Sequence, residues 1–252
     1  MIKHKVLGFM ILHYGKEYLR ESLLSIKNHV EKMVIAYSEE PSQGFTATEK
    51  CPESEEELFE IAHNVLGEKL IWNSKQSYKY EAEHRAVRYI YSTGYDIILT
   101  IDADEVFNEA DIPEALNFAH TNPQRYYGII GYYNFWRSFS WCCTDGFRPI
   151  RIEKTLAQNQ DQNLNCNLRV YHFSMCQAEN TMRYKYKIFG HASEIKPNYL
   201  ENIYFAWTPE KNDEITNLHP ASNGIWGRAE PFDKTTLPEY LKQHPNYNKE
   251  LI

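Results

Sequence analysis

No run of about twenty apolar residues occurs in the 252-residue chain, so no transmembrane helix is expected. The apolar stretch Val6 to Leu12 is too short to span a bilayer. His4, Lys5, His13 and Lys16 flank it, which also makes it a poor signal segment. The chain lacks any block of five or more Lys and Arg, and its net charge is -7. Neutralising a phosphate backbone takes a basic patch, so this balance argues against a nucleic-acid binder. An anionic substrate would need a local cation. Cysteine is sparse and irregular: Cys51, Cys142, Cys143, Cys166 and Cys176 form an odd set of five with no C-x-x-C pair. A reduced, cytoplasmic setting without a cysteine zinc site is expected. There is no internal repeat and no low-complexity tract.

What remains is 42% hydrophobic and 24% charged, the balance of a globular chain long enough to bury a core. Lys5 to His13 reads as a strand, and Leu19, Leu23, Ile26 and Val30 then recur at helical spacing. Lys32 to Tyr37 forms a second strand, and Glu39 to Cys51 a loop. Ser54 with Glu57 makes a capping-box pattern before Leu58, Ile61, Ala62 and Val65, and Gly67 stops that helix. Lys69 to Trp72 is a third strand. A helix from Tyr80 to Thr93 follows, with Ala82, Ala86, Tyr89 and Ile90 on one face. Asp111 and Glu114 bracket the start of another, with Ile112, Ala115, Leu116 and Ala119 inward. This alternation predicts an α/β fold with a mostly parallel central sheet flanked by helices. Beyond Tyr126 the texture turns aromatic. Strands are expected at Phe147 to Ile152 and Leu168 to Phe173, a helix at Thr181 to Phe189, and a C-terminal extension over 206–252 packed on a main domain of 1–205.

The most telling segment is Ile97 to Val106, an apolar run that ends in Asp102, Asp104 and Glu105. A buried parallel strand reads as a continuous apolar run, and ligands of open α/β sheets bind beyond such strand ends. If strand geometry persists one step, Asp102 and Asp104 project to one side. Crowded carboxylates repel unless a cation or a proton resolves the charge. Hard cations prefer oxygen and share it with phosphates, so Asp102 and Asp104 are candidate ligands for Mg²⁺ or Mn²⁺ bridging a diphosphate.

Strand-helix units followed by a strand ending in Asp-x-Asp near residue 100 resemble the nucleotide-sugar-dependent glycosyltransferases of the GT-A (Rossmann-like) fold. Glu83-His84-Arg85-Ala86 lies where many family 2 members carry a donor-facing Ala-Arg-Asn segment. Tyr171-His172-Phe173-Ser174, with Glu179, Lys187, Phe189, His191 and Glu194, resembles the His-x-Ser, Lys and Phe-x-His-x-Glu series of family 17-like N-acetylglucosaminyltransferases, whose Asp-x-Asp-Glu box Asp102 to Glu105 also matches. Residues 39–51 and 132–166 match no such motif. The resemblance implies transfer of a sugar from a nucleoside-diphosphate sugar to a glycan or other hydroxyl acceptor. It implies that a late His completes the metal site, His172 ahead of His191, with His191 left for phosphate. Arg85 and Lys187 become candidates to neutralise the leaving diphosphate, Asp102 and Glu83 to face the donor, and Glu39 to hold a ribose hydroxyl or base edge. Asp145, Glu179 and Glu194 are alternative general bases, Asp145 first. Trp136, Phe139 and Trp141 are candidates for an acceptor platform.

Two other readings compete. Asp102-Ala103-Asp104-Glu105-Val106 also fits the Asp-x-Asp-x-Thr/Val pattern of haloacid-dehalogenase-like phosphatases, although that class carries its nucleophile near the chain start and a later acidic pair, which this chain lacks. A non-catalytic sugar-binding domain of the same fold is the other; the intact acidic box argues against it.

Overall fold

The computed structural model describes residues 4–42, 50–157, 163–188 and 192–252. His191 and Phe189 lie outside the described residues, as does part of the loop expected over 39–51. The chain packs as two compact units. The first comprises 1–132 and 147–171, the second 133–146 and 172–252. The division falls within the aromatic region.

In the first unit, strand-helix alternation unfolds as β1 (Val6–Leu12), α1 (Lys16–Ile26), β2 (Lys32–Ser38), α2 (Glu55–Leu66), β3 (Leu70–Lys75), α3 (Glu81–Tyr91) and β4 (Ile97–Thr100). These strands lie in the order β3-β2-β1-β4, all parallel, with Gly8 opposite Met33 on one side and Leu99 on the other. β1 is apolar throughout because both of its faces are covered: Val6, Met10 and Leu12 join one core cluster, Leu7 and Phe9 another. That double burial is why a parallel strand carries no polar alternation. α2 begins with the predicted box: Ser54 accepts from the Glu57 N–H at 3.2 Å while Glu57 accepts from the Ser54 N–H at 3.4 Å. Each bond satisfies an amide that the first helical turn leaves over.

After β5 (Glu105–Phe107) and α4 (Ile112–Thr121), the sheet continues antiparallel. β6 (Tyr126–Trp136) is followed by β7 (Trp141–Cys143), β8 (Ile150–Lys154) and β9 (Leu164–Met175). β8 pairs with β4, placing Ile152 opposite Leu99, and with β6, while β9 pairs with β5. The sheet is therefore Rossmann-like and parallel on one side, antiparallel on the other, and flanked by helices.

Two expectations need correction. The inward face of α3 is His84 and Val87, whereas Tyr89 and Ile90 are exposed; the imidazole stacks on Tyr78 at 4.3 Å and bonds the Ala36 carbonyl at 2.6 Å, so a polar residue occupies the buried stripe. Asp111 stands at the helix boundary but turns its carboxylate to Arg169, at 2.7 and 2.8 Å, instead of capping α4.

The second unit holds β7, paired with the end of β6 and with β10 (Glu230–Pro231), together with α5 (Glu179–Ile188) and a short α6 (Glu239–Lys242). Its core gathers Trp136, Met182, Tyr204, Trp207, Leu218 and Trp226. Arg137, with a left-handed φ of 51°, sends its buried guanidinium to the carbonyls of Tyr204, Phe205 and Trp207 at 3.1–3.3 Å, and to that of Ile252. Trp136 and Phe139 are fully buried. Trp136 meets Tyr204, Trp207 and Trp226 edge-on, and Phe139 packs on Phe135, Phe173 and His244. They fill a core and offer no platform; half-buried Trp141 packs on Trp207. All five cysteines are free, and among the described residues no helix is long and apolar enough to cross a membrane.

Candidate functional site

The acidic box follows β4 in the first unit. Burial alternates along it: Ile101, Ala103 and Glu105 are buried, Asp102 and Asp104 half-buried. Strand geometry ends at Thr100, and the Glu105 N–H donates to the Asp102 carbonyl at 3.1 Å. The box is therefore a turn, and it is this turn, not a continued strand, that leaves both aspartates half-buried. Two buried serines of α1 hold the segment. Ser22 donates to the Asp102 carbonyl at 3.0 Å, and Ser25 accepts from the Phe107 N–H at 3.2 Å. Gly15, at φ 138°, lies so close that a Cβ there would stand 2.6 Å from that of Ala103. The amides of Gly15 and Lys16 at the start of α1 are taken by Glu53, at 2.7 and 2.8 Å. Burial pushes that carboxyl's pKa up.

Beneath the aspartates sits an ion pair that the sequence did not signal. Arg151, on β8, donates to Glu105 through Nε at 2.8 Å and also through Nη2, which reaches Asp102 Oδ2 at 2.7 Å. Tyr132 donates to the same Glu105 carboxylate at 2.5 Å. Glu105 is fully buried, with the Arg151 side chain 9% exposed and that of Asp102 28% exposed. Burial works against the charge of Arg151, but Asp102 and Glu105 overcome it and hold its pKa well above the ordinary arginine value. Burial, and then the charge of Glu105, drive the Tyr132 hydroxyl well above its usual value, so it remains a donor. One guanidinium thus serves two of the three carboxylates of the box, Asp102 and Glu105.

The other candidates are distributed as follows. Arg85 is bonded to Glu81 at 2.6 Å along α3, and Glu83 accepts from the Lys79 N–H at 3.2 Å. Glu39 is exposed just past β2. These belong to the first unit, with Asp102 and Asp104. The second unit contains Asp145, Glu179, Glu194, Lys187 and His172. Asp145 accepts from the Trp226 indole at 2.8 Å, Glu179 from Arg183 at 2.7 Å, and His172 Nδ1 meets Asn134 Oδ1 at 2.8 Å. Lys187 and Glu194 are exposed. His172 lies inside β9 rather than at its end, because pairing extends the strand to Met175. Ser174 of the same motif is bonded by Lys185. Among the described residues no three His, Cys, Asp or Glu side chains gather as a metal cage.

Two carboxylates nonetheless fit a hard divalent cation. Mg²⁺ is commonly held by one or two carboxylates together with substrate phosphates, not by an all-protein cage.

No family model matches the chain, and no curated protein matches it. Among solved structures, S. aureus TarS 1-349 aligns with TM-score 0.40 and 14% identity over 60% of this chain and 47% of that one. A longer S. aureus TarS structure gives the same TM-score and identity over 28% of its length. A mycobacterial protein aligns with TM-score 0.36 and 11% identity, over 52% of this chain and 42% of that one. The chain thus spans less than half the length of each, and none of these likenesses is deep enough to assign an activity.

Proposed function

We propose that the chain is a glycosyltransferase of GT-A type that transfers a sugar from a nucleoside-diphosphate sugar to an acceptor hydroxyl with a divalent metal at its Asp-x-Asp box. The observation that carries this reading is the pair Asp102 and Asp104, half-buried past the central parallel strand, with Asp102 paired to Arg151 at 2.7 Å. The strand order β3-β2-β1-β4 with antiparallel β8 beside β4 supports it, since ligands of such sheets bind past the carboxyl ends of the strands.

In this reading Asp102 and Asp104 hold Mg²⁺ or Mn²⁺, which would supply the charge that makes a diphosphate a good leaving group. Arg151 orients Asp102 through its Oδ2 oxygen. The bond from the sugar's anomeric carbon to the diphosphate breaks with its electron pair going to the diphosphate. The acceptor oxygen bonds to that carbon, and its proton passes to a carboxylate, for which Asp145, Glu179 and Glu194 are the candidates. Arg85 and Lys187 are proposed to face the diphosphate, with Glu83 on the donor side, and Glu39 the nucleoside; His172, then His191, is proposed as a further metal ligand. A cytoplasmic location is proposed with it.

The test is a panel of nucleotide sugars with Mn²⁺, scored by thermal shift and by release of nucleoside diphosphate. At about 100 times its dissociation constant, a true donor adds about 2.7 kcal/mol of stability. Asp104→Asn should abolish the release while leaving the fold intact. Full release by that variant would refute the metal role.

A further inference from the structure

β6 pairs with β9, and within the second unit their ends are tied closely. The Arg137 N–H, just past β6, donates to the Met175 carbonyl at 2.9 Å, and the rings of Phe135 and Phe173 stack at 4.8 Å and 16°. Both rings are fully buried. Side chains alternate along a strand, so the preceding residues, Asn134 and His172, take the other face. There Asn134 Oδ1 meets His172 Nδ1 at 2.8 Å.

Packing gives no reason for an amide at position 134. The residue is only 4% exposed, and its Nδ2 has no hydrogen-bond partner. A buried donor left unmet costs free energy, and an apolar side chain of similar size would avoid that cost. What the amide does make is the bond to His172.

That bond fixes a proton. An amide oxygen only accepts, so the imidazole donates from Nδ1. Which ring nitrogen carries the proton is set by the bond that the other makes, and a neutral imidazole protonated at Nδ1 keeps its electron pair on Nε2. His172 is half-buried, whereas Asn134 is buried, so of the two it is the imidazole that a ligand can reach. Two residues on, Lys185 of α5 donates to the Ser174 carbonyl at 3.1 Å and to its hydroxyl, which holds this face of β9 in place.

We propose that Asn134 is the positioning residue of His172: it holds the imidazole in its Nδ1–H form, so that Nε2 presents an electron pair. The use of that pair rests on the transferase reading, in which His172 is a metal ligand. Metal-binding imidazoles commonly donate their other N–H to a fixed acceptor. The protonation pattern itself requires neither metal nor nucleotide.

Long-range nitrogen–proton correlation NMR of the metal-free full chain reads that pattern at alkaline pH, where imidazoles are neutral. The His172 signals are assigned by their loss in His172→Gln. The parent should show a pyrrole-like Nδ1 and a pyridine-like Nε2. In Asn134→Leu the proton should move to Nε2, and Asn134→Asp, which keeps an acceptor, should retain the parent pattern. A pyridine-like Nδ1 in the parent would make the amide the donor and overturn the proposal without any variant. So would an Nδ1–H form that persists in Asn134→Leu, or its loss in Asn134→Asp. Mn²⁺ added to the parent tests the transferase reading separately. Broadening of the His172 ring signals supports ligation there, whereas sharp signals from an Nδ1–H ring would count against the metal role of His172 alone.

Discussion

Replacing Arg151 with Met keeps the length of the side chain and removes its charge. The structure gives the consequence a size. Glu105 is fully buried and would keep only the Tyr132 hydroxyl at 2.5 Å and the Asp102 N–H at 3.2 Å, while Asp102 would lose its 2.7 Å partner. Stripping one partner from a buried ion pair costs about 3–5 kcal/mol, because the other charge stays desolvated without compensation. At about 2–4 °C per kcal/mol for a chain segment of this size, the melting temperature should fall by roughly 6–20 °C. Pairing the change with Glu105→Gln removes the stranded charge, retains an acceptor for Tyr132, and should recover about half of the loss or more. Urea unfolding of the two single variants and the double variant closes a cycle that isolates the coupling. If Arg151→Met unfolds within about 0.5 kcal/mol of the parent, or if Glu105→Gln fails to rescue it, the ion pair is not what supports the acidic box.

Burial lowers the pKa of His84 to about 4. The unfolded chain therefore binds a proton that the folded one refuses as pH falls below about 6.5, and stability drops by about 1.4 kcal/mol per pH unit, near 3 kcal/mol by pH 4. His84→Gln, which keeps a donor for Ala36, should flatten this part of a denaturation-against-pH curve; an unchanged slope would be inconsistent with a buried neutral imidazole. Gly15→Ala forces a side chain into φ 138° and against Ala103, at a cost of about 1–3 kcal/mol. Because the clash lies at the acidic turn, nucleotide affinity measured with Mn²⁺ should fall more than calorimetric stability predicts, and an unaltered affinity would separate Gly15 from the site. Arg137→Ala leaves the carbonyls of Tyr204, Phe205 and Trp207 without their shared donor and should cost about 2–4 kcal/mol; hydrogen exchange should localise the loss to 200–207, and uniform protection there would contradict this.

Where local rules govern, the sequence foretold the structure. The Ser54–Glu57 box and the Gly67 stop depend on neighbours a few residues away, and each stands as expected; the apolar strand is also present but ends at Thr100, two residues before Asp102. Partners distant in the chain were not foreseen. Nothing around Asp102 points to Arg151, 49 positions on; its only mark is a charged residue between Ile150 and Ile152 in a strand-like segment, where alternation would put both isoleucines on the other face. His84 was misplaced for a related reason: hydropathy assigns an imidazole to the surface, whereas stacking on Tyr78 and a bond to Ala36 make it a core residue. Trp136 and Phe139 show the converse, since an aromatic-rich stretch reads the same whether it lines a platform or fills a core.

The central claim, a divalent cation shared between Asp102, Asp104 and a diphosphate, is tested most directly by electron paramagnetic resonance of Mn²⁺ titrated with the protein and with UDP, GDP, ADP or CDP. One of these nucleotides should convert free Mn²⁺ to a bound ternary species with the parent protein, and Asp104→Asn should leave the free-ion signal intact. Equal Mn²⁺ binding by the parent and Asp104→Asn, or no ternary species with any of the four, would contradict it.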